Sequence, residues 1–410
     1  MDNIRRWHES TLEHALETRR VIVVSGARQC GKSTLLEMAF GGRAEIRSLD
    51  SKTLRDSALM DPQTFVRNDT EAPLVIDEIQ KAPELLSEIK LAVDRNRRPG
   101  QYVVTGSSDI YSAPEVQESL AGRVKNIRMR TFTQGEIRGV RPSFIQRLFT
   151  DSFASSYSDC DKRSVLESAF RGGYPEAFRL SDADRGDWFA DYLKSLFTRD
   201  MKDDSHIRRQ QALYEILKSV AAWSSKFADA TKLMGACGLS RPTFTEYLGA
   251  LERYYLCERV EAWAGTDYAR VGKRPKWFVC DTGLMASVLN WWRMKDVELD
   301  SDRSGKLVET FVFGELVAQV EMTRGCSLYQ YRDSEKREID FVVENADGDL
   351  VGIEVKAGSN VGREDFRHLA WFRDNLAKGR MFHGIVLYTG AHTLSFGDRL
   401  RAVPIATLWS

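Results

Sequence analysis

The chain has no C-x-x-C pair; its six cysteines, at positions 30, 160, 237, 257, 280 and 326, are scattered over 410 residues. That spacing argues against a structural zinc site or a disulfide framework and fits a reducing compartment. No apolar stretch approaches the roughly 18 residues that a membrane-spanning helix needs. The opening Met1-Asp2-Asn3-Ile4-Arg5-Arg6-Trp7 has no apolar core of the signal-peptide kind. The expectation is a cytoplasmic protein that neither enters nor crosses a membrane. Excess charge of one sign is missing too. Lys+Arg and Asp+Glu number 59 each, so any nucleic-acid surface has to be a local patch. No internal repeat of roughly 20–50 residues is visible. What remains, 42% hydrophobic and 29% charged, is ordinary for a soluble protein, and the length allows roughly two to four domains.

The strongest signal is Val21-Ile22-Val23-Val24, a strand-like run, leading into Gly26-Ala27-Arg28-Gln29-Cys30-Gly31-Lys32-Ser33-Thr34 and then the apolar helix start Leu35-Leu36. This is G-x-x-x-x-G-K-[ST] between a strand and a helix. Gly26 and Gly31 let the backbone fold around a phosphate, so that main-chain N–H groups and the helix N-terminus point at the anion. Lys32 is placed to reach the β/γ-phosphates of ATP, and the Ser33 hydroxyl to ligate Mg²⁺. A second apolar run, Leu74-Val75-Ile76, ends in Asp77-Glu78. Asp77 would hold Mg²⁺ through water and Glu78 would polarise the attacking water. A small-molecule kinase is disfavoured, because kinases of this fold need no such water-activating acid.

Apolar runs and helical patterns alternate over residues 21–131, which argues for a parallel sheet with crossover helices. Residues 4–18 read as a short amphipathic helix, 82–96 as another, and Tyr102-Val103-Val104-Thr105 as a third strand. Ser107 or Thr105, at the tip of that strand, suits a contact to the γ-phosphate or the water; the alternative is an ordinary Gly-Ser turn. Arg123 precedes a strand over 124–129. It stands either as a finger offered to a neighbouring copy's nucleotide or as a surface arginine among Lys125, Arg128 and Arg130.

Taken together, Ser25–Thr34, Leu74–Lys81, Gly106–Ser108, Ser119–Arg123, Gly172–Pro175, Phe278–Leu284 and Arg337–Lys356 resemble the archaeal-type AAA+ ATPases whose C-terminal half ends in a nuclease-like domain. The resemblance spans nearly the whole chain. It implies an α/β architecture with an AAA+ P-loop core at 1–135, a helical lid at 136–205, a winged helix-turn-helix at 206–265 and a PD-(D/E)xK nuclease-like domain at 266–410. Arg28 and Gln29 also look family-like, whereas Cys30 falls at a variable position.

The residues themselves support the last two domains. Gly238-Leu239-Ser240 with Pro242 opens a helix whose Phe244, Leu248 and Leu251 repeat at i, i+4, i+7. Preceded by two helical segments and followed by β-prone Tyr254–Leu256 and Arg259–Trp263, this reads as a winged helix. Arg241, Thr243 and Thr245 would face a DNA groove, or the module would dock a protein. Further on, Glu309 lies on a helix over 305–320, Asp340 on a strand over 337–343, and Glu354-Val355-Lys356 on the next strand after a turn at 345–349. An acid, a hairpin and Glu-x-Lys form the PD-(D/E)xK pattern. Period-2 geometry puts Glu354 and Lys356 on one face beside Asp340. Asp340, Glu354 and Glu309 would share Mg²⁺ or Mn²⁺, with Lys356 positioning or deprotonating the water.

Two functions stay open from sequence. One is an ATPase, assembled as a homo-oligomer, that couples nucleotide state to a metal-dependent nuclease domain acting on DNA in defence, repair or mobile-element maintenance. The other is a nucleotide-dependent switch or adaptor, of regulatory or toxin–antitoxin type. Its nuclease-like domain grips without cleaving.

Overall fold

The computed structural model describes residues 4–108, 122–150, 158–201, 207, 209–228, 230–235 and 237–410. They divide into two compact units, residues 1–132 with 253–255, and residues 133–252 with 256–410. Residues 119–121 of the Ser119–Arg123 stretch lie outside the described residues, as does the domain boundary placed at 205/206.

The first unit is a five-stranded parallel sheet: β1 (Val21–Gly26), β2 (Glu45–Ser48), β3 (Leu74–Asp77), β4 (Tyr102–Gly106) and β5 (Val124–Met129), in the order β2-β3-β4-β1-β5. β1 pairs with β4 on one side and β5 on the other. Every one of its residues is buried, which is why it reads as a continuous β-branched run rather than an alternating one. Helices α1 (His8–Thr18), α2 (Lys32–Phe40) and α3 (Leu85–Arg95) belong to this unit. α3 packs Leu85, Leu86, Ile89 and Val93 into a core with Val21, Ile76, Tyr102 and Val104. Because all five strands run in parallel, the loops after β1, β3 and β4 emerge at one edge of the sheet. The P-loop, Asp77-Glu78 and Ser107 meet there. The short edge strand β2 carries one apolar residue, Ile46, and that one is exposed; pairing to β3 makes it a strand, not its own pattern.

The second unit begins with helices and closes on a mixed sheet. Helices α4 (Lys162–Arg171), α5 (Asp182–Ser195), α6 (Gln210–Trp223), α7 (Ala230–Met234) and α8 (Arg241–Arg253) come first. The antiparallel pair β6 (Cys257–Val260) and β7 (Lys276–Val279) follows. Tyr254–Leu256, expected to be strand, instead forms the turn into β6, with Tyr255 at φ 59°. α8 buries Phe244, Tyr247, Leu248, Ala250 and Leu251, and the Ser240 hydroxyl accepts from the Thr243 N–H at 3.4 Å.

Helix α9 (Thr282–Val288) is capped by Asp281, whose carboxylate accepts from the Leu284 N–H at 2.9 Å and from the Gly173 N–H at 2.8 Å. A Cβ at Gly172, where φ is 72°, would stand 2.5 Å from that carboxylate. Two stretches singled out in the sequence therefore lock together here.

The long helix α10 (Ser301–Met322) leads to a six-stranded sheet of order β12-β13-β11-β10-β9-β8. Its strands are β8 (Ser327–Arg332), β9 (Glu338–Glu344), β10 (Leu350–Lys356), β11 (Phe382–Tyr388), β12 (Leu394–Gly397) and β13 (Leu400–Pro404). β9 runs antiparallel to both β8 and β10, whereas β11 runs parallel to both β10 and β13. Gly352 and Gly384 face each other across β10 and β11. Side chains there would run into Leu369 and Leu400 at 2.7 and 2.6 Å, so the two glycines let helix α11 (Arg367–Asn375) lie close on the sheet.

Candidate functional site

In the first unit the P-loop wraps the end of β1 and delivers α2 at Gly31, whose φ is 102°. Gly26 is at φ 152°, and a Cβ there would stand 2.2 Å from the Met129 carbonyl oxygen at the end of β5. No larger residue fits that approach. Gln29 also takes a left-handed φ of 61°. The loop is anchored by Arg6, which donates to the Cys30 carbonyl at 2.8 Å and to the Arg130 carbonyl at 2.5 Å. The buried Cys30 thiol points at the Met129 carbonyl, 3.6 Å away. Arg6 carries no motif signal in the sequence, because its partners are backbone atoms.

Within the loop, the Lys32 ammonium donates to the Gly26 and Ala27 carbonyls, each at 2.9 Å. The Ser33 hydroxyl donates to Asp77 Oδ2 at 3.1 Å, and Thr105 donates to Asp77 Oδ1. Lys32 is buried while Ser33 and Thr34 are exposed at the start of α2, Arg28 is half-buried and Ala27 is buried. Glu78 takes the left-handed region at φ 59°, with its N–H on the Thr105 hydroxyl at 3.1 Å. That turn lets Gln80 reach back: its Nε2 donates to Glu78 Oε2 and, at 2.8 Å, to the Ser107 hydroxyl. Asp77, Glu78, Thr105 and Ser107 therefore form one polar network, with Gln80 as a bridge that no sequence motif marks. Ser107 and Thr105 divide the work there. Thr105 holds Asp77 and the Glu78 backbone, and Ser107 faces the Glu78 carboxylate through Gln80.

Arg123 sits elsewhere. Its carbonyl accepts from the Val21 N–H at the start of β1, the opposite edge of the sheet from the P-loop. Its guanidinium grips Asp94 bidentately, at 2.6 and 3.0 Å.

In the second unit the structure brings Glu309, Asp340, Glu354 and Lys356 to the wall of one cleft of about 650 Å³. Asp340 Oδ2 accepts from the Val355 N–H at 2.9 Å, where the β9–β10 ladder ends. Lys356 pairs with Asp365 at 3.4 Å. Glu354 Oε1 is buried without a hydrogen-bond partner. Burial, and then Asp340, push the Glu354 carboxyl well above the usual carboxylate range.

The unexpected member is Lys276, at the first position of β7. Its ammonium, wholly buried, lies 2.6 Å from Glu309 Oε1, 3.1 Å from Asp340 Oδ1 and 3.5 Å from Glu338 Oε1, and 5.3 Å from the centre of the Phe227 ring. Burial alone would lower its pKa, but Glu309, Asp340 and Glu338 outweigh burial and hold it charged. Burial and Asp340 together push Glu309 up to about 8 despite Lys276.

A protein cation therefore stands between two of the three carboxylates assigned to a metal, Glu309 and Asp340. Among the described residues, no group of three His, Cys, Asp or Glu side chains is arranged to hold a metal ion. The shared Mg²⁺ or Mn²⁺ expected at Glu309, Asp340 and Glu354 does not fit this arrangement. The P-loop is different. Ser33 and Asp77 stand side by side with oxygens toward one another, as a cation bound mainly by phosphate and water requires.

Comparison with known proteins agrees with the first unit. Residues 18–138 match the AAA domain family, while 162–295 and 304–408 match two domains of unknown function, DUF8612 and DUF4143. Uncharacterized proteins of Mycobacterium bovis and Mycobacterium tuberculosis are each 25% identical over 98% of this chain and 83% of their own length. Among solved structures, a Walker-type ATPase of Pyrococcus abyssi is similar with a TM-score of 0.43 at 14% identity, over 70% of this chain and 96% of that one. AMPPCP-bound DnaA of Aquifex aeolicus gives 0.28 at 11%, over 62% and 89%. Scores this low carry no argument of their own. With the P-loop geometry and the parallel sheet, the match over 18–138 makes the N-terminal unit an AAA+ P-loop ATPase domain.

Proposed function

We propose that this chain is a nucleotide-dependent switch: its AAA+ domain binds and hydrolyses ATP, and its C-terminal domain is a nuclease-like module that binds without cleaving. Lys32 neutralises the β/γ-phosphates, and Glu78, held by Gln80, orients the attacking water. Ser33 and Asp77 would hold Mg²⁺, which supplies charge neutralisation at the phosphates. Residues 206–265 are read as a winged helix, on the support of helices α6, α7 and α8 followed by β6, whose partner strand β7 lies beyond that range. Arg123 is assigned to act only in trans, in a homo-oligomer, since it lies away from its own P-loop.

One observation carries the choice of a non-cleaving module: the buried Lys276 ammonium between Glu309 and Asp340. The rival reading, a metal-dependent nuclease acting on DNA, draws on the unpartnered Glu354 Oε1 and the neighbouring Lys356.

The test incubates the purified protein with plasmid, single-stranded DNA and RNA, under Mg²⁺ or Mn²⁺, with and without ATP. The switch reading expects ATP hydrolysis and intact nucleic acid. Lys32→Ala should abolish ATP binding, and Glu78→Gln should keep binding but stop turnover. Cutting that disappears in Asp340→Ala, with ATPase activity unchanged, would restore the nuclease reading.

A further inference from the structure

A second cleft, of about 390 Å³, opens beside the first in the same unit. Five cations line it: Lys232 on α7, Lys273 and Arg274 in the loop before β7, Arg332 at the end of β8, and Lys336 in the β8–β9 turn. The acid on this wall, Asp333, is spent on Arg337, which donates to its two oxygens at 2.9 Å from the backbone N–H and 2.8 Å from the guanidinium. In a chain of zero net charge, this is a local concentration of positive potential in a concave surface.

Two further features specify the ligand. One ring, Phe227, lines this cleft, and a second, Trp223, lines the neighbouring one. The Arg332 guanidinium is 4.6 Å from the centre of the Phe227 ring, and the Lys232 ammonium 5.1 Å from that of Trp223. Neither ring is fully buried. Charged groups that track a backbone, interleaved with rings on which bases stack, are the chemistry of single-strand recognition. The basic cleft also shares Phe227 and Arg332 with the cleft that holds Asp340 and Glu354. A chain-like polyanion can therefore run from one into the other, whereas a duplex about 20 Å wide cannot enter a cavity of this size.

We infer that this cleft binds the phosphodiester backbone of a single-stranded nucleic acid and leads it past Phe227 toward the nuclease-like site. The inference deepens the reading of the C-terminal domain as a binding module. It is separable from that reading, because cleavage tests one and binding the other. It also moves the main contact away from Arg241, Thr243 and Thr245 on α8.

The experiment measures fluorescence anisotropy of a labelled mixed-sequence DNA strand, the same RNA strand and the matching DNA duplex, across a salt series with the full chain. Single strands should bind more tightly than the duplex. Lys273→Glu with Lys336→Glu should weaken single-strand binding by at least about tenfold. It should also lower the slope of log affinity against log salt by about 1.4, roughly 0.7 for each lost phosphate contact. Circular dichroism and a urea-unfolding midpoint at the wild-type value check the fold of that variant, and Lys273→Gln with Lys336→Gln replaces it if the fold fails. Arg241→Glu should leave affinity within about twofold. The inference is overturned if neither strand binds at low salt or the duplex binds more tightly. It is equally overturned if Arg241→Glu abolishes binding while the lysine variants do not, or if an acidic peptide competes as well as the strand.

Discussion

Lys276 Nζ lies 2.6 Å from Glu309 Oε1, in a cluster that also contains the buried Asp340 and the half-buried Glu338. A lysine wholly out of water persists only where carboxylates repay its desolvation, and removing one member of such a cluster strands the others as unpaired buried charge. Lys276→Ala should therefore destabilise the second unit by about 3–5 kcal/mol. The same change opens the carboxylates to a real cation. Urea unfolding with and without Mn²⁺ reads both effects: the variant's midpoint should rise with Mn²⁺ and the wild type's should not. An equal metal response in the two proteins would mean that Lys276 does not occupy a cation position.

Gln80 offers a sharper test of the ATP site than the motif residues do. Its amide ties the Glu78 carboxylate to Ser107, so Gln80→Ala frees the water-orienting group without touching the phosphate cradle. The expected result is a fall in kcat of about tenfold or more with the KM for ATP little changed. A variant whose KM rises while kcat holds would place Gln80 in nucleotide binding instead.

Trans action by Arg123 can be separated from its ion pair with Asp94 by mixing variants. Lys32→Ala protein lacks a working P-loop but keeps Arg123, and Arg123→Ala protein has the reverse defect. If subunits share a site, the mixture should hydrolyse ATP faster than either variant alone. No recovery at any ratio, with both variants folded and shown to co-assemble, assigns Arg123 to the exposed pair with Asp94.

Glu315, on the buried side of α10, accepts from the Gln134 N–H at 2.8 Å, while its Oε2 has no partner. Burial drives its pKa up to about 8, against 4.5 for the free side chain. The folded state therefore holds a proton that the unfolded chain releases. The stability tied to that proton is fully present below about pH 4.5 and is lost as pH rises toward 8, at no more than about 1.4 kcal/mol per pH unit. Urea midpoints measured from pH 5 to 8 should fall less steeply for Glu315→Gln than for wild type. Parallel curves would show that Glu315 does not titrate in this range.

Much of the ATP site is legible in the order of residues, and the reason is local. A glycine-rich loop between a buried strand and a helix builds its cradle from consecutive backbone atoms, so Gly26 to Thr34 carry their geometry in their spacing. A parallel sheet then brings the ends of β1, β3 and β4 to one edge, which makes Asp77 and Ser107 readable as partners of Lys32. The edge strand β2 is not legible, because Glu45–Ser48 has no apolar alternation. Nor is Gln80, because its role depends on the left-handed turn at Glu78.

The second site divides in the same way. Asp340, Glu354 and Lys356 follow from strand periodicity on adjacent strands, and Glu309 from its place on the helix before them. Lys276 does not follow from anything near it. It is 33 residues from Glu309 and 64 from Asp340, on a strand of the β6–β7 pair rather than of the sheet it serves. Residue spacing along the chain decided which carboxylates could meet. Only the packing of β7 against α10 and β9 decided that an ammonium stands among them, because a long-range ion pair is set by which surfaces are buried together, not by any local period.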